Sequence, residues 1–265
     1  MPKLAANLSM LFADRPFLDR FEAAARAGFR AVEFQFPYHW PVEDLVRALH
    51  EHRLQAVLHN LPAGDWAAGE RGIACHPDRV QEFRDGVERA VTYAQALGVP
   101  RLNCLAGVPP AGVSAAAAWQ TLTDNVRHAA DRLARAGLVL LLEPINTFDI
   151  PGFLLHRSDQ VVELMDVVGA HNVRLQYDIY HAQRMEGELA ATLQRLLPRI
   201  GHIQLADNPG RHEPGTGEIR YRFLLEWLDH LGYDGWVGCE YRPADAGPHG
   251  TEAGLSWLAA HGVGL

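Results

Sequence analysis

The chain has 265 residues, 48% hydrophobic and 21% charged, with a net charge of −8. That length is close to the roughly 250 residues of a single (β/α)₈ barrel, and no stretch approaches the ~18 apolar residues of a membrane helix. The acidic balance argues against a nucleic-acid partner, which usually meets a basic face, but leaves room for a small anionic substrate, because a metal ion and a few arginines can invert the local field.

In chain order, Lys3 to Met10 reads as a first strand. Asn7 and Ser9 break its apolar run, which makes a poor secretory signal and points to a cytoplasmic location. Arg15-Pro-Phe opens a helix to about Ala27, ended by Gly28. Ala31 to Phe36 is a second strand with Glu33 inside it, and Pro41 to His52 a second helix. The third strand, Gln55 to Asn60, ends in His59 and Asn60, and His59 is a candidate substrate contact. Leu61 to Ile73 then runs without strand or helix pattern, as functional loops do; Trp66 and Ile73 read as buried anchors of an ordered lid carrying Glu70 and Arg71.

Pro77 to Leu97 and Ala115 to Ala136 are helices ended by Gly98 and Gly137, the second capped by Ser114, and Arg101 to Ala106 is the strand between them. The fifth strand is the apolar run Leu138 to Leu142, stopped at Glu143 because Pro144 has no N–H for a ladder. Helices follow at Ser158 to Val168, Glu188 to Leu197, Arg222 to Leu231 and Thr251 to Ala260. Strands fall at Val173 to Asp178, Ile200 to about Leu205 and Gly235 to Glu240. Eight short apolar strands alternate with eight helices, and no linker or low-complexity tract divides them. The expected fold is α/β, a single (β/α)₈ TIM barrel over residues 1–265 with its site at the C-terminal ends of the strands. Three scattered cysteines without a CxxC pair suggest reduced thiols, with Cys239 pointing into packing.

Four of the last strands carry an oxygen-bearing side chain to their ends: Glu143, Asp178, Gln204 and Glu240. Their spacing is about one strand plus one crossover helix, which brings them to one face of the barrel. Three carboxylates that close repel strongly without a cation. An all-oxygen set suits Mg²⁺ or Mn²⁺ better than Zn²⁺. His181 follows the proposed ligand Asp178 by three residues and can face the same cavity. The glycine-rich loop Ala206 to Glu218 lacks the GxGxxG pattern of a dinucleotide site, but its Arg211 suits an oxyanion or carboxylate.

The segments Glu143-Pro-Ile-Asn-Thr-Phe-Asp149, Gln176-Tyr-Asp-Ile-Tyr-His181, His202-Ile-Gln-Leu-Ala-Asp-Asn-Pro-Gly-Arg211 and Glu213-Pro-Gly-Thr-Gly-Glu218 resemble the hydroxypyruvate isomerase family. Asn60-Leu-Pro-Ala-Gly-Asp-Trp66 with Gly69-Glu-Arg-Gly72 resembles it too. That family lies within the xylose-isomerase-like barrels, with the ketose 3-epimerases as cousins. The resemblance runs along nearly the whole chain. It implies interconversion of hydroxypyruvate and tartronate semialdehyde, or a close relative, with Glu143 and Glu240 as the acid/base pair. Asp178 and Gln204 would complete the metal set, and His181, Arg211 and Asp149 would contact substrate. Gln204 departs from the epimerase pattern, where a histidine is usual.

On this reading a divalent ion chelates an α-hydroxy carbonyl compound, one glutamate removes a proton and the other returns one to the neighbouring carbon. Arg71 or Arg211 would hold the substrate carboxylate. The nearest alternative is a sugar-acid isomerase of the 2-oxo-tetronate type or a ketose 3-epimerase. A glycosidase, a metal-dependent endonuclease and a non-catalytic barrel are more remote. The expected partner is a small 2-oxo or hydroxy acid, with no nucleic acid or membrane. A homo-oligomer is compatible with the sequence.

Overall fold

The computed structural model describes residues 2–265. Its strands are β1 (Lys3–Asn7), β2 (Ala31–Glu33), β3 (Gln55–Asn60), β4 (Arg101–Cys104), β5 (Val139–Leu142), β6 (Val173–Asp178), β7 (Ile200–Leu205) and β8 (Trp236–Cys239). They close a barrel in sequence order. Every pairing is parallel, including β1 against β8, where Lys3 faces Trp236 and Ala6 faces Cys239. The expected barrel is therefore the observed one. Among the described residues, no helix is long and apolar enough to cross a membrane.

The helices are α1 (Asp19–Arg26), α2 (Val42–Glu51), α3 (Val80–Leu97), α4 (Ala115–Arg135), α5 (Ser158–Val168), α6 (Ile179–Met185), α7 (Leu189–Leu196), α8 (Tyr221–His230), α9 (Gly250–Gly254) and α10 (Trp257–His261). α4 shows how the sequence sets an element. The Ser114 hydroxyl accepts the Ala117 N–H at 3.2 Å to begin it. Ala118, Leu122, Val126, Ala129 and Leu133 then bury one face.

Several boundaries differ from expectation. β1 stops at Asn7 because the Met10 and Leu11 amides turn back onto the Asn7 carbonyl. β2 stops at Glu33, where the register with β3 shifts. α6 was not expected: it begins directly on the last residue of β6, with the Asp178 carboxylate accepting the Tyr180 N–H as its cap. The single C-terminal helix is two short ones, α9 and α10.

Two apolar layers hold the barrel. The larger lies between sheet and helices. The smaller comprises Ala5, Ala31, Val57, Leu58 and Leu141, with Val139 and Trp236 packed against it. Beyond this small apolar cluster the interior turns polar. The Glu33 carboxylate, fully buried, accepts from Asn7 Nδ2 at 2.9 Å and Gln204 Nε2 at 2.8 Å, and pairs with His202 Nε2 at 2.6 Å. Gly238 lies against it on β8, where any Cβ would collide with the carboxylate. Cys75, Cys104 and Cys239 are all buried thiols.

Candidate active site

Side chains alternate along a strand, so positions two apart share a face. Leu141 lies in the interior cluster, and Glu143 stands two residues beyond it. The same step leads from Gln176 to Asp178 and from Gly238 to Glu240, and Asp178 sits in register with Gln204. These strand ends open into a cavity of about 950 Å³ whose lining includes Glu143, Gln204, Glu240, His181, Arg211 and Arg71.

The three expected carboxylates are buried, with Glu143 4%, Asp178 1% and Glu240 5% exposed. Glu143 Oε2 accepts from Asn103 Nδ2 at 2.7 Å. Glu240 Oε1 accepts from Gln35 Nε2 at 2.9 Å and from Arg211 Nη2 at 3.0 Å. Arg211 Nη2 also reaches Asp178 Oδ2 at 3.2 Å. One guanidinium thus faces three buried carboxylates. Burial drives the Glu143 carboxyl well above the usual range, and its neighbours Glu240 and Asp178 push it further. Burial raises Glu240 to about 8 despite Arg211. Asp178 also rises through burial, against the pull of Arg211.

This donor set fits a divalent cation. Oxygens of Glu143 and Asp178 lie with a nitrogen of His181 inside a 4.8 Å group. Gln204 Oε1 accepts from Gln176 Nε2 at 2.6 Å, and its amide nitrogen is held by Glu33, so the carbonyl keeps one lone pair.

The other expected contacts divide. His181 is 3% exposed, but it stands in the first turn of α6, not in a loop. Arg211 adopts a positive φ of 58° and stacks 5.2 Å over the Tyr180 ring. Its loop is shaped by Asp207, whose Oδ2 accepts the Gly215 and Gly217 amides at 2.8 and 2.9 Å. A side chain at Gly217 would strike the Asn208 carbonyl, which gives that glycine its purpose. Asp149 lines the cavity, but Asn146 Nδ2 and Tyr180 Oη bond its Oδ2 at 3.0 and 2.9 Å, and Arg184 holds Oδ1.

His59 is the clear departure. It is fully buried and absent from the cavity lining, with its ring beside Tyr38 and Phe34. Its neighbours Leu58 and Asn60 face the cavity instead, as alternation demands. Burial lowers the His59 imidazole to about 4.

The 61–73 loop is anchored against the barrel. Gly72, at φ 118°, passes so close to Leu105 and Gly107 that a Cβ would clash with backbone. Glu70 is structural: it takes Arg79, and the Asp65 amide donates to it. Trp66 is 37% exposed, not buried as expected, because it forms the cavity wall and carries Arg71 4.1 Å over its ring. Arg71 Nη1 donates to the Trp66 and Glu70 carbonyls, and no carboxylate pairs with it among the described residues. Glu33, Gln35, Asn103, Asn146, Gln176 and Tyr180 were not singled out as site residues from sequence. Only Glu33, a charge inside an apolar strand, left a signal there.

The chain matches the family model described as "Xylose isomerase-like TIM barrel" over residues 21–261. It is 55% identical over 258 residues to hydroxypyruvate isomerase of Escherichia coli (strain K12), covering 97% of this chain and 98% of that protein. It is 48% identical over 258 residues to a 2-oxo-tetronate isomerase of Cupriavidus necator, with 97% and 98% covered. A crystal structure from Brucella melitensis described as "AP endonuclease, family 2" superposes with a TM-score of 0.93 at 45% identity, covering 98% of this chain and 99% of that one.

Proposed function

The chain belongs to the xylose isomerase-like TIM barrel family and is an isomerase, and from that premise we propose that it interconverts hydroxypyruvate and tartronate semialdehyde (2-hydroxy-3-oxopropanoate). The observation that carries this reading is the buried glutamate pair, Glu143 after β5 and Glu240 after β8, which line one cavity from strands three places apart.

Glu143, Asp178, Gln204 and Glu240 would hold the divalent ion, Mg²⁺ or Mn²⁺ by the hardness of their oxygens. When bound, such an ion polarises the carbonyl of an α-hydroxy carbonyl compound and makes the adjacent C–H more acidic. One glutamate takes a proton from C3 of hydroxypyruvate, leaving an enediolate across C2 and C3. The other delivers a proton to C2, while the hydroxyl proton leaves O3 and O2 gains one. Burial, the first cause of the raised Glu143 and Glu240 carboxyls, supports a proton-carrying role for both. His181 and Arg211 flank the reacting oxygens, and Arg71 takes the substrate carboxylate.

The 48% identity to a 2-oxo-tetronate isomerase favours a second substrate. The same proton transfer on the four-carbon 2-oxo-tetronate would use the same groups, and a cavity of about 950 Å³ has room for it. An endonuclease would call for several histidines around zinc. Among the described residues, the one potential metal group holds two carboxylates and a single histidine. The net charge of −8 also disfavours DNA.

Glu143→Gln and Glu240→Gln test the reading. Each keeps the shape and removes the proton carrier. Each is expected to lower turnover of hydroxypyruvate and 2-oxo-tetronate by at least about 100-fold, with an unchanged far-UV spectrum. Near wild-type turnover in either variant contradicts the assignment.

A further inference from the structure

Asn146 lies in the loop after β5 and is fully buried. Its side-chain orientation is fixed. Asn146 Oδ1 accepts the Phe148 N–H at 3.1 Å and the Asp149 N–H at 2.9 Å. An amide with its oxygen on two backbone donors must turn its NH₂ the other way. That NH₂ donates to Asp149 Oδ2 at 3.0 Å and meets His181 Nδ1 at 2.7 Å. The Asn146 backbone N–H points at the same nitrogen from 3.4 Å.

Two donors aimed at Nδ1 leave no place for a proton there. The imidazole must keep its Nδ1 lone pair and carry its hydrogen on Nε2. The chain of bonds sets this from the backbone outward: the turn at 146–149 fixes the amide, and the amide fixes the ring. Asp149 belongs to the same device, since its Oδ2 takes the second amide hydrogen and Tyr180 Oη.

Nε2 faces the carboxylates. It lies 3.5 Å from Asp178 Oδ2 and 3.8 Å from Glu143 Oε1. Both separations exceed an ordinary hydrogen bond. The N–H therefore points into the space between two proposed ligands with no oxygen yet close enough to accept it.

We propose that Asn146 is a positioning residue that holds His181 as the Nε2–H tautomer, so that His181 serves as a hydrogen-bond donor to a substrate oxygen and not as a metal ligand. This divides the labour within the Glu143, Asp178 and His181 group: the carboxylates hold the cation and the imidazole donates beside it. The donor role rests on the substrate reading given above. The tautomer does not, because it follows from protein groups alone.

The test is ¹H–¹⁵N multiple-bond NMR on the full chain with ¹⁵N-labelled histidine, with His181→Gln identifying the resonances of His181. Wild type is expected to show Nε2 protonated and Nδ1 bare, without and with saturating Mg²⁺. A wild-type signal with the hydrogen on Nδ1, or loss of the Nε2 hydrogen on adding Mg²⁺, overturns the proposal. Asn146→Asp replaces the donor with an acceptor and is expected to move the hydrogen to Nδ1. Asn146→Ala removes the side-chain donor and leaves only the longer 3.4 Å backbone contact, and its His181 should populate both tautomers. Folded variants that keep the wild-type tautomer would refute the role of Asn146. Turnover is expected to fall about 10–100-fold in Asn146→Asp. If wild type shows the Nε2–H tautomer but turns over neither 2-oxo acid, the substrate reading fails and the tautomer assignment stands.

Discussion

Charge balance at single residues decides what this cavity can accept. Arg184 is taken by Asp149, and Arg211 by Asp178 and Glu240. Arg71 lines the cavity with, among the described residues, only backbone carbonyls and the Trp66 face as partners. A guanidinium so placed can meet a carboxylate without first losing one. Arg71→Ala is expected to raise KM for hydroxypyruvate about tenfold or more. KM for the neutral counterpart dihydroxyacetone should change little, and Arg135→Ala, on the exposed face of α4 and away from the cavity, should serve as the unaffected control. Steady-state kinetics check this, and equal effects on both substrates would remove Arg71 from carboxylate binding. At this scale the sequence revealed the strand-end residues, because a carboxylate that closes an apolar run is conspicuous. It could not reveal Asn146, Tyr180 or Gln35. Their roles depend on turns and on contacts between distant segments, as when Gln35 reaches Glu240.

Among the elements, the helices with strong punctuation were legible. α3 and α4 each combine a long apolar stripe with a glycine just past the end, Gly98 at φ 66° and Gly137 at φ 72°. α6 was not, because Asp178 ends a strand and caps a helix at once, leaving no loop between them. That economy places His181 one helical turn above Asp178. The inner ends of the strands carry a different constraint. Glu33 is the common acceptor for Asn7, His202 and Gln204. Glu33→Ala strands three buried donors, each costing about 1–3 kcal/mol. The variant is expected to lose at least about 3 kcal/mol of unfolding free energy. A denaturant midpoint shift worth less than about 1 kcal/mol would show that the network relaxes without it.

For the molecule as a whole, the repeat of short apolar strand and amphipathic helix was enough to specify a parallel barrel, since both faces of each strand must be covered. The polar interior was hidden by the same apolar runs. Asn103, Gln176 and His202 occupy single positions within strands that otherwise read as hydrophobic, and only closing the barrel brings them together. Closure also explains the division of the interior. An apolar cluster around Leu141 and Trp236 closes one part of it. Buried amides and Glu33 form the layer above, and Glu143 and Glu240 line the mouth with Arg211, which also holds the buried Asp178. The loops that follow β3 and β7 supply Arg71 and Arg211 to that mouth, and the loop after β5 places buried Asn146 behind His181.

The most direct test of proton transfer between two glutamates is isotopic. The enzyme, loaded with Mg²⁺ or Mn²⁺, is incubated with hydroxypyruvate in D₂O. Carbon-bound hydrogens are followed by NMR at early times against enzyme-free and chelator-treated controls. Because one carboxyl removes the proton and another supplies it, the new C2 hydrogen must come from solvent. The account predicts chelator-sensitive formation of tartronate semialdehyde carrying deuterium at C2. Product whose C2 hydrogen is the one lost from C3, or no product at all from hydroxypyruvate, would contradict it.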